Sequence, residues 1–461
     1  MTLTGNPGAA KNIGGVMSVL PPIAPGVPHR PVPVLPPPTG GPVTPAVASI
    51  GLAAEHFAAA TLYLIAAAVG LVWIAPELAA GAYLSPHVAG VTHLVTLGWL
   101  TTTIFGALYQ LLPVALGAPI RWPRLGHASF WTFAPGAGVF ACGVAENSTL
   151  LHHAGLAMVT TGIVLAMTNI ISSLHRARTH DATWAAVALA VTFLASTLGL
   201  GAVLLHNLHT GFLAAARTRV LVTHLHVAIV GWALMMMVGV SHRLLPMFLL
   251  AHNPDRRWTR PALALLATGV PALAIGLNTR FTAARWLAVV LLELGVACFL
   301  RQAYGFFRAR VRRRIDVGMR FAGTALGFLA LAALLGPAVL ALGPAAPRLA
   351  IVYVLFALLG GIVVFVIGFF YKIVPLLAWT VRYRDRMGKS PVPTVADMFS
   401  ARVALVQLGI MPAALVLLAI AILAGSARGA YAGTTLFLVG VLLFASQILR
   451  VAFGGHRSAP S

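Results

Sequence analysis

The sequence predicts an all-α polytopic membrane protein whose twelve transmembrane helices form three pseudo-symmetric four-helix units. Three observations predict it. Of 461 residues, 59% are hydrophobic and 9% charged, against roughly 25% charged in ordinary soluble domains. That leaves too little polar surface to cover a water-soluble globule of this size. Apolar runs long enough to cross a hydrocarbon core of roughly 30 Å recur along nearly the whole chain. Finally, one helix-length pattern occurs three times.

Breaks at charged residues, prolines and glycines place the spans at about 57–75, 87–112, 126–146, 152–174, 183–205, 220–249, 262–279, 283–305, 321–342, 349–378, 402–424 and 430–452. Residues 1–50 precede them and contain twelve prolines, as in "PPIAPGVPHRPVPVLPPP". Such a composition cannot bury a core and favours extended, solvated backbone. It reads as a disordered cytoplasmic tail, with a proline-motif docking site as the alternative. Residues 1–50 show neither the basic start nor the continuous apolar core of a signal peptide. Residues 456–461 form a short C-terminal tail after the membrane domain of 51–455.

The formal charge of +22 is placed for topology. Arg121 and Arg124, Arg176 and Arg178, Arg256, Arg257 and Arg260, the Arg308 to Arg314 cluster and the Arg382 to Lys389 cluster all follow even-numbered spans. The other loops hold fewer basic residues, among them Arg217, Arg219, Arg280 and Arg348. Basic loops stay cytoplasmic, so both termini are expected on the cytoplasmic side of a bacterial inner membrane. The charge attracts anionic lipid; no nucleic-acid motif accompanies it. The two cysteines, Cys142 and Cys298, stand in separate apolar spans without CxxC or CxxCH, which gives no support to zinc sites, iron–sulfur clusters or covalently attached haem.

The repeat organises the chain. "HLVTLGWLTTTIFGALYQLLP" runs from His93, "HVAIVGWALMMMVGVSHRLLP" from His226 and "LFALLGGIVVFVIGFFYKIVP" from Leu355, at offsets of 133 and 129 residues. Each carries a glycine five residues in (Gly98, Gly231, Gly360), another eight later (Gly106, Gly239, Gly368), and Gln110, Arg243 or Lys372 three before the closing proline. Four spans separate successive copies, so the units are about 51–180, 181–318 and 319–455. Snorkelling to the interface is a sufficient reading of Gln110, Arg243 and Lys372.

The copies differ in chemistry. The first has His93, the second His224 and His226, the third no histidine. Buried imidazoles must be hydrogen-bonded, line water or bind metal, and their distance from the closing proline places these three toward the outer end. His224 and His226 stand about 200° apart on a helix, so as ligands they serve different pockets. His206 and His209 share one face at the outer end of the fifth span. His152 and His153 form a pair at the outer end of the fourth. All four are metal candidates, with solvated interfacial histidines as the plain reading. His242 reads as interfacial. Glu293 lies mid-span in "VVLLELGVACFL" and is a proton-relay candidate, or else a neutral hydrogen-bonding group. Met235 to Met237 read as packing, with copper contact as the alternative.

The H-x-H followed by "GW", a mid-helix glycine and a closing "LLP" resembles the tenth helix of haem–copper oxidase catalytic subunits, above all the C-family oxygen reductases and the similar nitric oxide reductases. That family has twelve helices in three pseudo-symmetric groups of four. The resemblance implies that one histidine of the H-x-H ligates a high-spin haem and the other a low-spin haem. It also implies that His93 resembles the second ligand of the low-spin haem. The cofactor implied is haem, b-type, with copper as a further metal. The activity implied is that of an oxidoreductase in electron transport or in handling nitric oxide or oxygen, with redox partners or other respiratory subunits alongside. The NnrS-type haem- and copper-containing membrane proteins are a side branch that is not respiratory. There are departures. The H-x-H stands on the sixth span rather than the tenth, and the seventh, "PALALLATGVPALAIGLN", lacks the family's copper-binding His-His pair. Full oxygen reduction to water is therefore not expected. Two readings from other classes stand beside this one: a three-repeat transporter or metal permease, for which broken helices and midplane charges would speak, and a cofactor-less structural subunit.

Overall fold

The computed structural model describes residues 45–454, apart from Arg280 and Arg312; the proline-rich stretch up to residue 44 and the C-terminal tail lie outside the described residues. Among the described residues twelve helices are long and apolar enough to cross a membrane: α1 (Ile50–Trp73), α2 (Pro86–Leu116), α3 (Pro123–Ala145), α4 (Thr149–Leu174), α5 (Ala182–Thr210), α6 (Ala214–Leu249), α7 (Thr259–Asn278), α8 (Thr282–Arg308), α9 (Val317–Ala345), α10 (Pro347–Arg386), α11 (Ala401–Ala424) and α12 (Ala427–Phe453). Among the described residues a short helix at Ala75–Ala80 and a 3₁₀ turn at Val395–Met398 lie between them, and the only β pairing is one bridge between Ala251 and Arg310. Several helices begin before the first apolar residue because a polar side chain caps them. Ser148, Asp181, Asp316, Ser400 and Ser426 accept backbone N–H groups at the starts of α4, α5, α9, α11 and α12.

Neighbouring helices pair along the chain. α3 packs on α4, α7 on α8 and α11 on α12, while α1, α5 and α9 pack on α2, α6 and α10. The last three are the most buried helices of the bundle. Each contains a stretch with π-type turns, at Leu94–Thr101, Val227–Leu234 and Leu355–Val363. π-Turns are rare and strained in isolation. Here they are accommodated by a ring from the preceding helix. A Cβ added at Gly98, Gly231 or Gly360 would lie 2.6 Å from a ring atom of Tyr63, Phe193 or Phe328, respectively. Only glycine leaves room for these rings. In α2 the loosened carbonyls of Thr96 and Leu97 accept the hydroxyls of Thr101 and Thr102, five residues on, at 2.8 and 3.1 Å. The indole of Trp232 in α6 donates to the Thr101 hydroxyl at 3.1 Å, joining the two π stretches through a buried bond.

At the opposite end of the inner helices the expected snorkelling is replaced by ion pairing. Arg243 contacts Asp181, the cap of α5, at 2.6 Å, and Lys372 contacts Asp316, the cap of α9, at 2.9 Å. Gln110 has no such partner, and its amide nitrogen is buried unpaired. His242 lies at the same end, where Arg256 donates to its carbonyl at 3.2 Å. It is buried between α6 and α7 and bonds the Thr259 hydroxyl at 3.0 Å.

Candidate functional site

His93 sits two turns into α2, just before its π stretch, and His224 and His226 sit just before that of α6. All three side chains line one cavity of about 820 Å³. This lies within the range of small-molecule and cofactor sites, roughly 300–1,000 Å³. Its walls are almost wholly apolar, from α2, α6, α7, α8, α9 and α10, and Arg217, Arg219 and Arg285 stand among the few polar groups. A smaller apolar space of about 80 Å³ also touches His93 and His224, but not His226.

The three imidazoles are held differently. His93 Nδ1 lies 2.7 Å from the Ala89 carbonyl one turn back, which fixes it as the protonated nitrogen and leaves Nε2 as the free donor atom. The ring edge meets Phe140 at 5.1 Å. His224 Nδ1 is shielded from solvent and faces the Thr197 backbone. The ring lies over Gly201, where an added Cβ would come within 3.4 Å. His226 is the satisfied member. Its Nδ1 donates to the Val222 carbonyl at 2.8 Å, and the Tyr353 hydroxyl stands 3.3 Å from Nε2. The 200° separation thus turns His224 toward His93, α5 and both cavities, and His226 toward α10.

Glu293 on α8 lines the same cavity beside Tyr353. Its Oε1 stands 2.9 Å from where a Cβ at Gly336 would be, so this glycine makes the room for the carboxyl. Tyr353 escaped the sequence reading, although a signal existed. It lies two residues before Leu355, as His224 lies two before His226, and so takes the register of His224 in the third copy. Arg217 and Arg219 read as topology in the sequence, and Arg285, inside α8, carries no sequence signal that sets it apart.

The other histidines divide. His152 and His153 of α4 come together with His209 of α5, at ring separations of 5.7 and 5.2 Å from His209. His206 does not join them and packs on Phe212 at 5.4 Å. Met235, Met236 and Met237 are buried in the packed core, and no methionine lines the large cavity. Cys142 and Cys298 are both free thiols. No family model matches the chain, and no curated protein is found similar to it.

Proposed function

We propose that the chain is a haem-binding integral membrane protein, embedded in the bilayer, that carries electrons or handles a small diatomic such as nitric oxide or oxygen. The observation that carries this reading is the convergence of His93, His224 and His226 on one large apolar cavity that also contains Arg217, Arg219 and Arg285. Neutral imidazole nitrogens suit a haem iron. Apolar walls suit a porphyrin, and guanidinium groups suit carboxylates.

His93 and His224 are the residues that would hold the group, since His93 Nε2 is unengaged and both rings border both cavities. When bound, b-type haem would supply a one-electron couple and an iron able to react with a small diatomic. The chain itself contributes the rest. Leucine and valine walls exclude water. The Ala89 carbonyl orients His93. Tyr353 on α10, His226 on α6 and Glu293 on α8 form a polar strip in the cavity wall, able to hold a proton at the Glu293 carboxyl. The same reading takes the chain as three four-helix units, supported by the three π stretches and the three ring-to-glycine contacts. It also places the arginine-rich loops and the termini at the cytoplasmic face of a bacterial inner membrane. Among the described residues α2, α6 and α10 run unbroken, which gives a transporter reading no discontinuous helix to build on.

A reduced-minus-oxidised optical spectrum of the purified protein, expressed with an ample haem supply, tests the proposal. Soret and α bands of a b-type haem are expected at about one haem per chain. A featureless spectrum overturns it.

A further inference from the structure

Among the buried polar side chains, His152 is anomalous. It is fully buried, 0% exposed, yet neither ring nitrogen has a hydrogen-bond partner. A neutral imidazole always carries one N–H and one lone pair. Leaving both unmatched away from water is costly, and such groups in folded proteins mark an ion, a water or a chemical role.

Its surroundings say which. His152 projects from the first turns of α4 toward the last turn of α5, where His209 lies 5.7 Å away between ring centres. His153, its chain neighbour, lies 5.2 Å from the same ring. With metal–nitrogen bonds of about 2.0–2.1 Å, two imidazoles sharing one tetrahedral metal stand with ring centres roughly 5 Å apart. Both separations bring the rings within that reach. His153 Nδ1 is tied to the Thr149 carbonyl at 2.8 Å, so its Nε2 keeps the lone pair, an arrangement that orients metal-binding histidines.

We propose that His152, His153 and His209 form a transition-metal site, for a divalent ion that favours imidazole such as Zn²⁺ or Cu²⁺, at the end of the bundle opposite the arginine-rich loops. The site stands apart from the His93–His224 cavity and does not depend on the haem reading. The His153 and His209 rings are stacked, 22° from parallel. Accordingly, among the described residues no three His, Cys, Asp or Glu side chains converge on one point. Closure requires the two exposed rings to turn toward the buried one, which is already in place. His206, one turn before His209, faces Phe212 and stays outside the site.

The test titrates the full chain in detergent with Co²⁺ and Zn²⁺ alone, following the cobalt visible bands and calorimetric binding, with Cu²⁺ loading read by its nitrogen hyperfine structure. One equivalent per chain is expected, with at least about tenfold weaker binding in His209→Ala and His152→Ala and no change in His206→Ala. Because His152 is buried, the exposed His209→Ala variant carries the conclusion if His152→Ala does not fold. Its elution profile and optical spectrum should match those of the parent. Absence of saturable binding, which would mean that only water pairs His152, overturns the proposal. So does binding that His209→Ala leaves intact, or that His206→Ala weakens equally.

Discussion

The Tyr353 hydroxyl on α10 lies 3.3 Å from Nε2 of His226 on α6, with the two rings nearly parallel, 26° apart, at 6.1 Å. With Nδ1 already given to Val222, this contact engages both nitrogens of His226. His224, two residues earlier on the same helix, has no such partner. The H-x-H pair is therefore asymmetric before any ligand enters, and the asymmetry decides which histidine is available.

Haem content should follow that difference. His93→Ala and His224→Ala are each expected to lower bound haem at least tenfold in the purified protein. His226→Ala should keep most of it with shifted bands. Pyridine haemochrome quantification of the three variants measures this, and loss of haem confined to His226→Ala would refute the assignment of His224 as the partner of His93.

The glycine of each π stretch is a second point of leverage. Gly231→Ala would bring a Cβ within 2.6 Å of Phe193, and overpacking of this kind costs about 1–3 kcal/mol. A lower unfolding temperature in detergent is expected. Combining the change with Phe193→Leu should recover part of the loss, because contacting residues couple by about 0.5–3 kcal/mol. Strict additivity in the double mutant would argue that ring and glycine do not share the space.

Asp181 performs two tasks. It accepts the N–H groups of Thr183 and Trp184 at 2.9 and 3.2 Å, capping α5, and it pairs with Arg243 at 2.6 Å while about a quarter of its side chain remains exposed. Loss of a cap costs about 1 kcal/mol, and a pair between the exposed and buried limits adds about 1–2 kcal/mol. Asp181→Ala should therefore destabilise the protein more than Arg243→Ala, by a few degrees in thermal unfolding. Equal shifts would mean that the cap contributes nothing.

Much of this was legible in the chain. Apolar run length and the arginine-bearing loops locate all twelve helices, because a bilayer admits few other solutions for such segments. The shared distance of His93 and His226 from a closing proline brings them to one depth, and the structure gives them a common cavity. The π stretches were not legible. They change hydrogen-bond register by one residue without altering the apolar pattern, and only the ring contacts at Gly98, Gly231 and Gly360 expose their cause. The ion pairs of Arg243 and Lys372 were hidden for a different reason. Asp181 and Asp316 lie about 60 residues from their partners in sequence, and nothing local announces the meeting. His209 was grouped with His206 by helical spacing, yet the packing of α5 on α4 sends one ring to His152 and the other to Phe212.

Topology is open to direct measurement. Single cysteines placed in the loops at 254–257 and 386–391, in a background lacking Cys142 and Cys298, should resist membrane-impermeant maleimide in intact cells and react in inverted vesicles. A cysteine at 212–213 should behave oppositely. The expectation rests on arginines being retained on the cytoplasmic side, and labelling of all three positions from one side would overturn it.

The last prediction is that the haem-loaded protein will not reduce oxygen to water at oxidase rates. In the family the sequence resembles, that reaction uses copper beside a haem iron, and such a copper needs several nitrogen ligands in fixed geometry. The imidazoles lining the large cavity are those of His93, His224 and His226. If His93 and His224 hold the iron, His226 alone remains, and Tyr353 already engages its free nitrogen. The wall contributed by α7 to that cavity is Leu266, Leu273 and Leu277, none of which can ligate a metal. The histidine pair of α4 is committed elsewhere, beside His209 on α5. Slow one-electron chemistry, with a diatomic reaching the iron only where His93 or His224 lets go, is compatible with this cavity; rapid four-electron turnover is not. Oxygen consumption by the loaded protein with excess reductant, set against copper content in the wild type and in His209→Ala, separates the cases. Fast turnover that tracks copper and survives His209→Ala would place a copper centre in the large cavity and overturn this prediction.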